Sequence, residues 1–171
     1  MRLKTGDIVF VKMPFVWFKP LRYVSLIIRK VLKTWFNHIA IIVIIENAVF
    51  VAESTAGGVK ITPFKQWSKD SFIEIQRNDR LTQNALSRIM KYQGFTGYDY
   101  KSLVWYQIIL QFFGKWEGKK REAAAERLYC SEYYALVDKE SFPQWWRTTP
   151  KDIYKKEFLS LYVGKAKKLI L

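Results

Sequence analysis

The sequence predicts an α+β domain in which a late helix packs against a small antiparallel β-sheet or barrel. The first half contains short β-branched runs separated by turn signals, and the second half contains apolar residues at helical spacing. The chain has 171 residues, of which 50% are hydrophobic and 17% are aromatic. This length and composition suit one domain over residues 1–171 with a sizeable core, and they exclude a disordered chain.

Short strands follow one another through the first half. The turn Thr5-Gly6-Asp7 leads into the first strand, and Glu46-Asn47 is a tight turn that closes a hairpin. The run from Asn37 is rich in β-branched residues, which indicates a strand buried on both faces. The predicted strands cover residues 8–11, 37–45, 49–53, 59–61 and 72–76, and a last one covers 160–163.

Helical spacing marks four longer segments. Residues 21–36 form a basic amphipathic helix, which either covers the core or lies on a membrane surface. Thr82 begins a helix to residue 92 with Leu86, Ile89 and Met90 inward, and residues 101–113 form an apolar helix too short to cross a bilayer. The fourth helix follows Cys130, with Glu132 in its first turn. Short helical turns are predicted at residues 63–67 and after the capping residue Thr149.

The formal charge of the chain is +14, which predicts attraction to polyanions such as nucleic acid, anionic lipid or an acidic cell-wall polymer. A single cysteine excludes an intramolecular disulfide and fits a reducing compartment. The apolar run after the basic start is too short for a cleavable signal. We therefore expect a cytoplasmic protein, with peripheral attachment to a membrane left open.

Cys130 is the candidate nucleophile. It lies at the predicted start of a helix, where unpaired backbone N–H groups stabilise a thiolate and lower the thiol pKa. The competing interpretation is that Cys130 simply packs, as buried cysteines usually do. His38 is the only histidine, so a Cys/His pair can form in one way only. Taken alone, His38 is also interpretable as a hydrogen-bonded core histidine.

Glu53 is the candidate third member of the site, because a carboxylate in an apolar strand needs a partner. If Glu46-Asn47 is the hairpin loop, Glu53 pairs with Ala40 and lies diagonal to His38 on the same face, roughly 7–8 Å away. A loop one residue longer would place the two side chains on opposite faces.

These three residues match a thiol mechanism. Cys130 would attack a carbonyl, His38 would transfer the proton, and Glu53 would orient the imidazole. The backbone N–H of Cys130 is a candidate oxyanion donor. One Cys and one His without a paired-ligand motif make a poor zinc site, and Gly57-Gly58 lacks the features of a phosphate loop. We expect no metal and no cofactor.

Several short motifs resemble the circularly permuted papain-like amidases, the YiiX/YaeF type within the NlpC-like superfamily. Between residues 6 and 152 they occur in this order: Gly6-Asp7-Ile8-Val9, Asn37-His38-Ile39-Ala40, Val51-Ala52-Glu53-Ser54-Thr55 with Gly58-Val59, Tyr129-Cys130-Ser131-Glu132 and Thr149-Pro150-Lys151-Asp152. The resemblance implies a permuted papain-like fold and a Cys-His-Glu triad of Cys130, His38 and Glu53. The basic, aromatic insert 15–36 and the hydrophobic segment 101–113 are unusually large for this family. Both are candidates for shaping the cleft or contacting lipid.

The sequence thus favours a cysteine hydrolase that cleaves an amide or ester bond through an acyl-thioester. The wider superfamily implies peptide, cell-wall peptide or acyl-lipid substrates. One alternative is a membrane-surface acyltransferase or lipid-modifying protein that uses the same triad. A catalytically silent nucleic-acid-binding domain is the third, disfavoured alternative. The sequence predicts no oligomeric state.

Overall fold

A six-stranded antiparallel sheet is the centre of the fold. The computed structural model describes residues 2–12, 33–55, 57–69, 71–81, 84–94 and 128–169. The strands are β1 (Ile8–Lys12), β2 (His38–Ile45), β3 (Ala48–Thr55), β4 (Gly58–Pro63), β5 (Phe72–Arg77) and β6 (Leu159–Lys165). Their order across the sheet is β4-β3-β2-β1-β5-β6, so the first four in this order form an antiparallel meander.

Four short α-helices accompany the sheet in the described residues. They are α1 (Phe64–Trp67), α2 (Ala85–Met90), α3 (Cys130–Val137) and α4 (Pro150–Tyr154). The helix that begins at Cys130 packs on β2 and β3, which confirms the predicted packing of a late helix against the sheet. Thr149 caps α4 as predicted, because its side chain accepts a hydrogen bond from the Asp152 N–H.

The core lies on both faces of the sheet. Side chains alternate along a strand, so Ile8 and Phe10 of β1 face the cluster that contains α3, whereas Val9 and Val11 face a second cluster with Phe64. The same alternation along β2 buries that strand on both faces, as the β-branched run predicts.

The turn between β2 and β3 fixes the register of the hairpin. Glu46 and Asn47 have φ values of 47° and 67°, as a two-residue type I′ turn requires, and Ile45 pairs with Ala48. The predicted loop and register are therefore confirmed, and this register places His38 and Glu53 on the same face of the hairpin.

Of the three residues predicted to face inward from α2, Ile89 is confirmed and Leu86 and Met90 are wrong. Leu86 and Met90 are 43% and 46% exposed, and the buried positions are Ala85 and Ile89. Ala85 packs close to Gly6, where φ is +98° and an added Cβ would lie 3.2 Å from the Ala85 Cβ. Ala85, which the sequence did not place inward, therefore occupies a buried position of this helix beside Gly6.

Several other predictions concern residues outside those described. They are most of the basic helix 21–36, the capping residue Thr82 and the apolar helix 101–113. Lys33 to Phe36, the described end of the first of these, is not helical, and Lys33 has a φ of 52°. Among the described residues, no helix has the length and apolar character needed to cross a membrane.

A buried ion pair attaches the start of β1 to the end of β5. Arg77 Nε and Nη2 each donate to an oxygen of Asp7 at 2.8 Å, and the Asp7 side chain is completely buried. We expect Asp7→Asn to lower the free energy of unfolding by about 3 kcal/mol, because it leaves a guanidinium facing a neutral amide. Urea unfolding measures this loss. The double variant with Arg77→Gln should lose less than the sum of the two single losses, and strict additivity would show that the pair contributes nothing.

Candidate active site

Cys130 is the first residue of α3, and its side chain is almost completely buried. Tyr129 is the N-cap residue in an extended conformation, and its N–H donates to Glu132 Oε2 at 3.3 Å. Glu132, two residues after Cys130, therefore neutralises part of the positive end of the helix, as its predicted place in the first turn implies. The helix begins at Cys130 because the chain before it is extended and capped by this contact.

Hydrogen bonds from two different elements fix the backbone around Cys130. Ser54 Oγ, next to Glu53 in β3, donates to the carbonyl of Leu128. On the other side, Ser131 Oγ donates to the carbonyl of Thr148 at 2.9 Å. The sulfur is thus held in place by the sheet and by the segment before α4.

The structure brings His38 and Glu53 into direct contact. His38 Nε2 lies 2.7 Å from Glu53 Oε2, and the Glu53 side chain is only 4% exposed. His38 is the first residue of β2 and Glu53 lies near the end of β3, so the hairpin register places them at the same end of the sheet. The predicted proximity therefore follows from the two-residue turn.

Cys130 interacts with the same imidazole. Its side chain hydrogen-bonds His38, whose Nε2 also binds Glu53. Burial alone would raise the pKa of the Cys130 thiol, but the hydrogen bond and charge of His38 and backbone hydrogen bonds from Ile39 and Ser131 lower it. The thiol is therefore stabilised as a thiolate.

His38 is stabilised in its protonated form. Burial alone would lower the pKa of His38, but its hydrogen bonds to Cys130 and Glu53 and the charges of both raise it to about 10. A lowered thiol pKa beside a raised imidazole pKa favours a thiolate–imidazolium pair at neutral pH. All three predicted site residues therefore lie together.

Trp67 is a neighbour of the site that the sequence did not indicate. Its Nε1–H donates to Glu53 Oε2 at 2.8 Å, the same oxygen that contacts His38, while Lys60 Nζ lies 3.5 Å from Glu53 Oε1. Burial raises the pKa of Glu53, but these partners, His38 first, lower it overall. A buried indole N–H needs an acceptor, which is the one available signal, but only the fold identifies Glu53 as that acceptor.

Residues 2–142 match the sequence profile of a family described as permuted papain-like amidase enzymes, YaeF/YiiX, the C92 family. The chain belongs to this family. Its membership makes the protein a cysteine hydrolase of the amidase or peptidase kind, and the resemblance seen in the sequence is confirmed. No curated protein matches the chain.

A solved structure with the same fold is the crystal structure of the metalloprotein YiiX from Escherichia coli O157:H7. It has 19% sequence identity to this chain and a TM-score of 0.54, and the match covers 96% of this chain and 89% of that one. At this identity the comparison establishes the fold, so the α+β, permuted papain-like architecture is confirmed.

Proposed function

We propose that Cys130, His38 and Glu53 hydrolyse an amide or ester bond through an acyl-thioester intermediate. The observation that carries this proposal is the continuous chain of hydrogen bonds from Cys130 through His38 to Glu53, with a lowered thiol pKa and a raised imidazole pKa. A thiolate is the reactive form of cysteine, and an imidazolium beside it is a ready proton donor.

Acylation uses the ion pair as it stands in the free enzyme. The Cys130 thiolate attacks the substrate carbonyl carbon, and the carbonyl electron pair moves to oxygen. As the tetrahedral intermediate collapses, the bond to the amine or alcohol breaks, and the leaving group takes the proton from His38. The products of this step are the released amine or alcohol, a thioester on Cys130 and a neutral imidazole.

Deacylation reverses these roles. Neutral His38 takes a proton from water, whose oxygen attacks the thioester carbonyl. Collapse releases the carboxylic acid and restores the thiolate beside the imidazolium. Glu53 keeps Nε2 oriented in both steps and stabilises the positive ring.

The start of α3 supplies the candidate oxyanion site. Cys130 is the first helical residue, and the first N–H groups of a helix have no acceptor within that helix. In such a position the Cys130 N–H is available to the oxygen of the tetrahedral intermediate, where the helix dipole adds to its stabilisation.

The description of YiiX as a metalloprotein does not transfer to this site. The part of the chain that the structure describes contains no group of three or more His, Cys, Asp or Glu side chains that could hold a metal ion. His38 is the only histidine, and its ring hydrogen-bonds both Cys130 and Glu53. We therefore derive no step through a metal.

Acyl-enzyme trapping tests the proposal. We expect a short-chain nitrophenyl ester to acylate the protein once, in a burst followed by slower turnover, with the adduct located at Cys130 by mass spectrometry. His38→Ala is the matched control, because it keeps the thiol and removes its proton donor. Equal turnover in the native protein and in Cys130→Ser would rule out the mechanism. Supplying an amine alongside water separates hydrolysis from acyl transfer, since transfer yields an amide product.

A further inference from the structure

A row of three side chains crosses one end of the sheet beside β2, the strand that begins with His38. Lys12 of β1 pairs with Phe72 of β5, and Phe72 pairs with Lys165 of β6. Directly opposite residues of antiparallel strands project from the same face, so the three side chains lie side by side. This face also carries Phe10, two residues before Lys12, and is therefore the face that α3 covers further along the strands.

Apolar side chains in and beside this row are exposed to solvent. Phe72 is 40% exposed, and Val163, two residues before Lys165 and on the same face, is 56% exposed. Trp35 packs edge-on against Phe72 with ring centroids 5.4 Å apart. Lys12 and Lys165 are both exposed. We call these five residues the sheet-end patch.

The sheet-end patch is cationic. Its two lysines flank the phenyl ring on either side, and the acid nearest to it in the paired strands is Glu74, which lies opposite Val163. Glu74 is only 7% exposed and accepts hydrogen bonds from Gln76 and Tyr154, so its carboxylate is turned into the protein. The exposed surface of the patch therefore combines apolar groups with positive charge.

We propose that the sheet-end patch docks on an anionic membrane surface. Lysines near such a surface bind anionic head groups, while aromatic and aliphatic side chains between them enter the interfacial region. The net charge of +14 adds a long-range attraction to the same surface. The patch has five residues, whereas a stable protein–protein interface uses about 20–30 residues on each side.

The sheet-end patch lies at the same end of the sheet as the candidate active site. Lys12 follows Val11, the residue that pairs with His38, and β5 lies two strands from β2, a separation of about 10 Å. His38 projects from the face opposite the patch, so docking brings this end of the sheet near the surface and leaves the face of His38 turned away from the lipid. The docking itself does not rest on the proposed hydrolysis.

Sedimentation with vesicles tests the docking. We expect the full chain to bind vesicles of phosphatidylcholine with phosphatidylserine, and to bind phosphatidylcholine alone far more weakly. Each lysine at the surface contributes about fivefold to binding, so the double variant Lys12→Gln/Lys165→Gln should bind about 25-fold more weakly. The matched control is Lys65→Gln/Lys139→Gln, which removes the same charge at exposed positions elsewhere. Val163→Ser tests the apolar part and should also weaken binding.

The outcomes separate docking from catalysis and from other partners. Cys130→Ser should bind vesicles like the native protein, and Cys130 alkylation should proceed at the native rate in the lysine variants if the fold is intact. Equal losses in the two double variants would show binding by net charge alone and overturn the proposal, as would the absence of binding to anionic vesicles. Binding of single-stranded oligonucleotides that depends on Lys12 and Lys165, without a matching effect on vesicles, would assign the patch to nucleic acid instead.

Discussion

Replacing His38 by alanine is expected to slow the alkylation of Cys130 by iodoacetamide at neutral pH, by up to about 30-fold. In the native protein the imidazolium lowers the pKa of the thiol, so a larger fraction of the thiol is ionised than in the variant. Without His38 its pKa returns towards the free value of about 8.5, at which only about 3% of the thiol is ionised at pH 7. Mass spectrometry of the protein with time gives the rate directly, because the chain has one cysteine.

The pH dependence of Cys130 alkylation shows whether His38 lowers or raises the pKa of the thiol. A lowered thiol pKa means that native alkylation reaches half of its maximal rate at a lower pH than alkylation of His38→Ala. Turnover should also decline at high pH, as His38 loses its proton near its pKa of about 10 and can no longer protonate the leaving group. In urea both proteins should titrate alike. Identical profiles in the folded state would show that Cys130 is only a packing residue.

Replacing Glu53 by glutamine is expected to reduce turnover about 1,000-fold. The amide has no charge to stabilise the imidazolium. Its NH2 group can also face His38 Nε2–H, and two donors cannot form the hydrogen bond that the Glu53 carboxylate accepts in the native protein. The pKa of His38 should therefore fall from about 10, because two of the causes that raise it come from Glu53. NMR titration of the imidazole follows this change without assignment ambiguity, since His38 is the only histidine.

Trp67→Phe is the matched control for the Glu53 variant. It removes the indole donor at 2.8 Å from Glu53 Oε2 but keeps the carboxylate and most of the ring volume. We expect a loss of turnover of about tenfold, through less accurate orientation of Glu53, with His38 still protonated up to about pH 10. If Trp67→Phe lowered the pKa of His38 as much as Glu53→Gln does, Trp67 would act on the charge of Glu53 and not on its orientation.

The hairpin and the helix of this site are local features, which explains why the sequence predicts them. Glu46-Asn47 is a turn signal that needs no tertiary context, and its length sets which side chains of the two strands share a face. The apolar pattern that begins after Cys130 likewise defines a helix from neighbouring residues alone. The predicted proximity of His38 and Glu53 depended only on these local rules.

The residues that support the site could not be predicted, because their partners are chosen by tertiary packing. The hydrogen bond from Ser54 to Leu128 spans 74 positions, and Trp67 reaches Glu53 from the helix after β4. The exposed side of α2 shows the same limit, since Leu86, Ile89 and Met90 are all apolar and tertiary packing buries only Ile89 of the three.

The order in which the site residues occur along the chain has a consequence for folding. His38 and Glu53 are 15 positions apart and joined by a tight hairpin, so their contact closes a short loop at small entropic cost. Cys130 joins them only when α3 docks on the finished sheet, which closes a much longer loop and is therefore slower. A newly made chain thus carries an ordinary, weakly nucleophilic thiol until docking is complete. Reactivity towards thiol reagents at neutral pH would mark the last stage of folding.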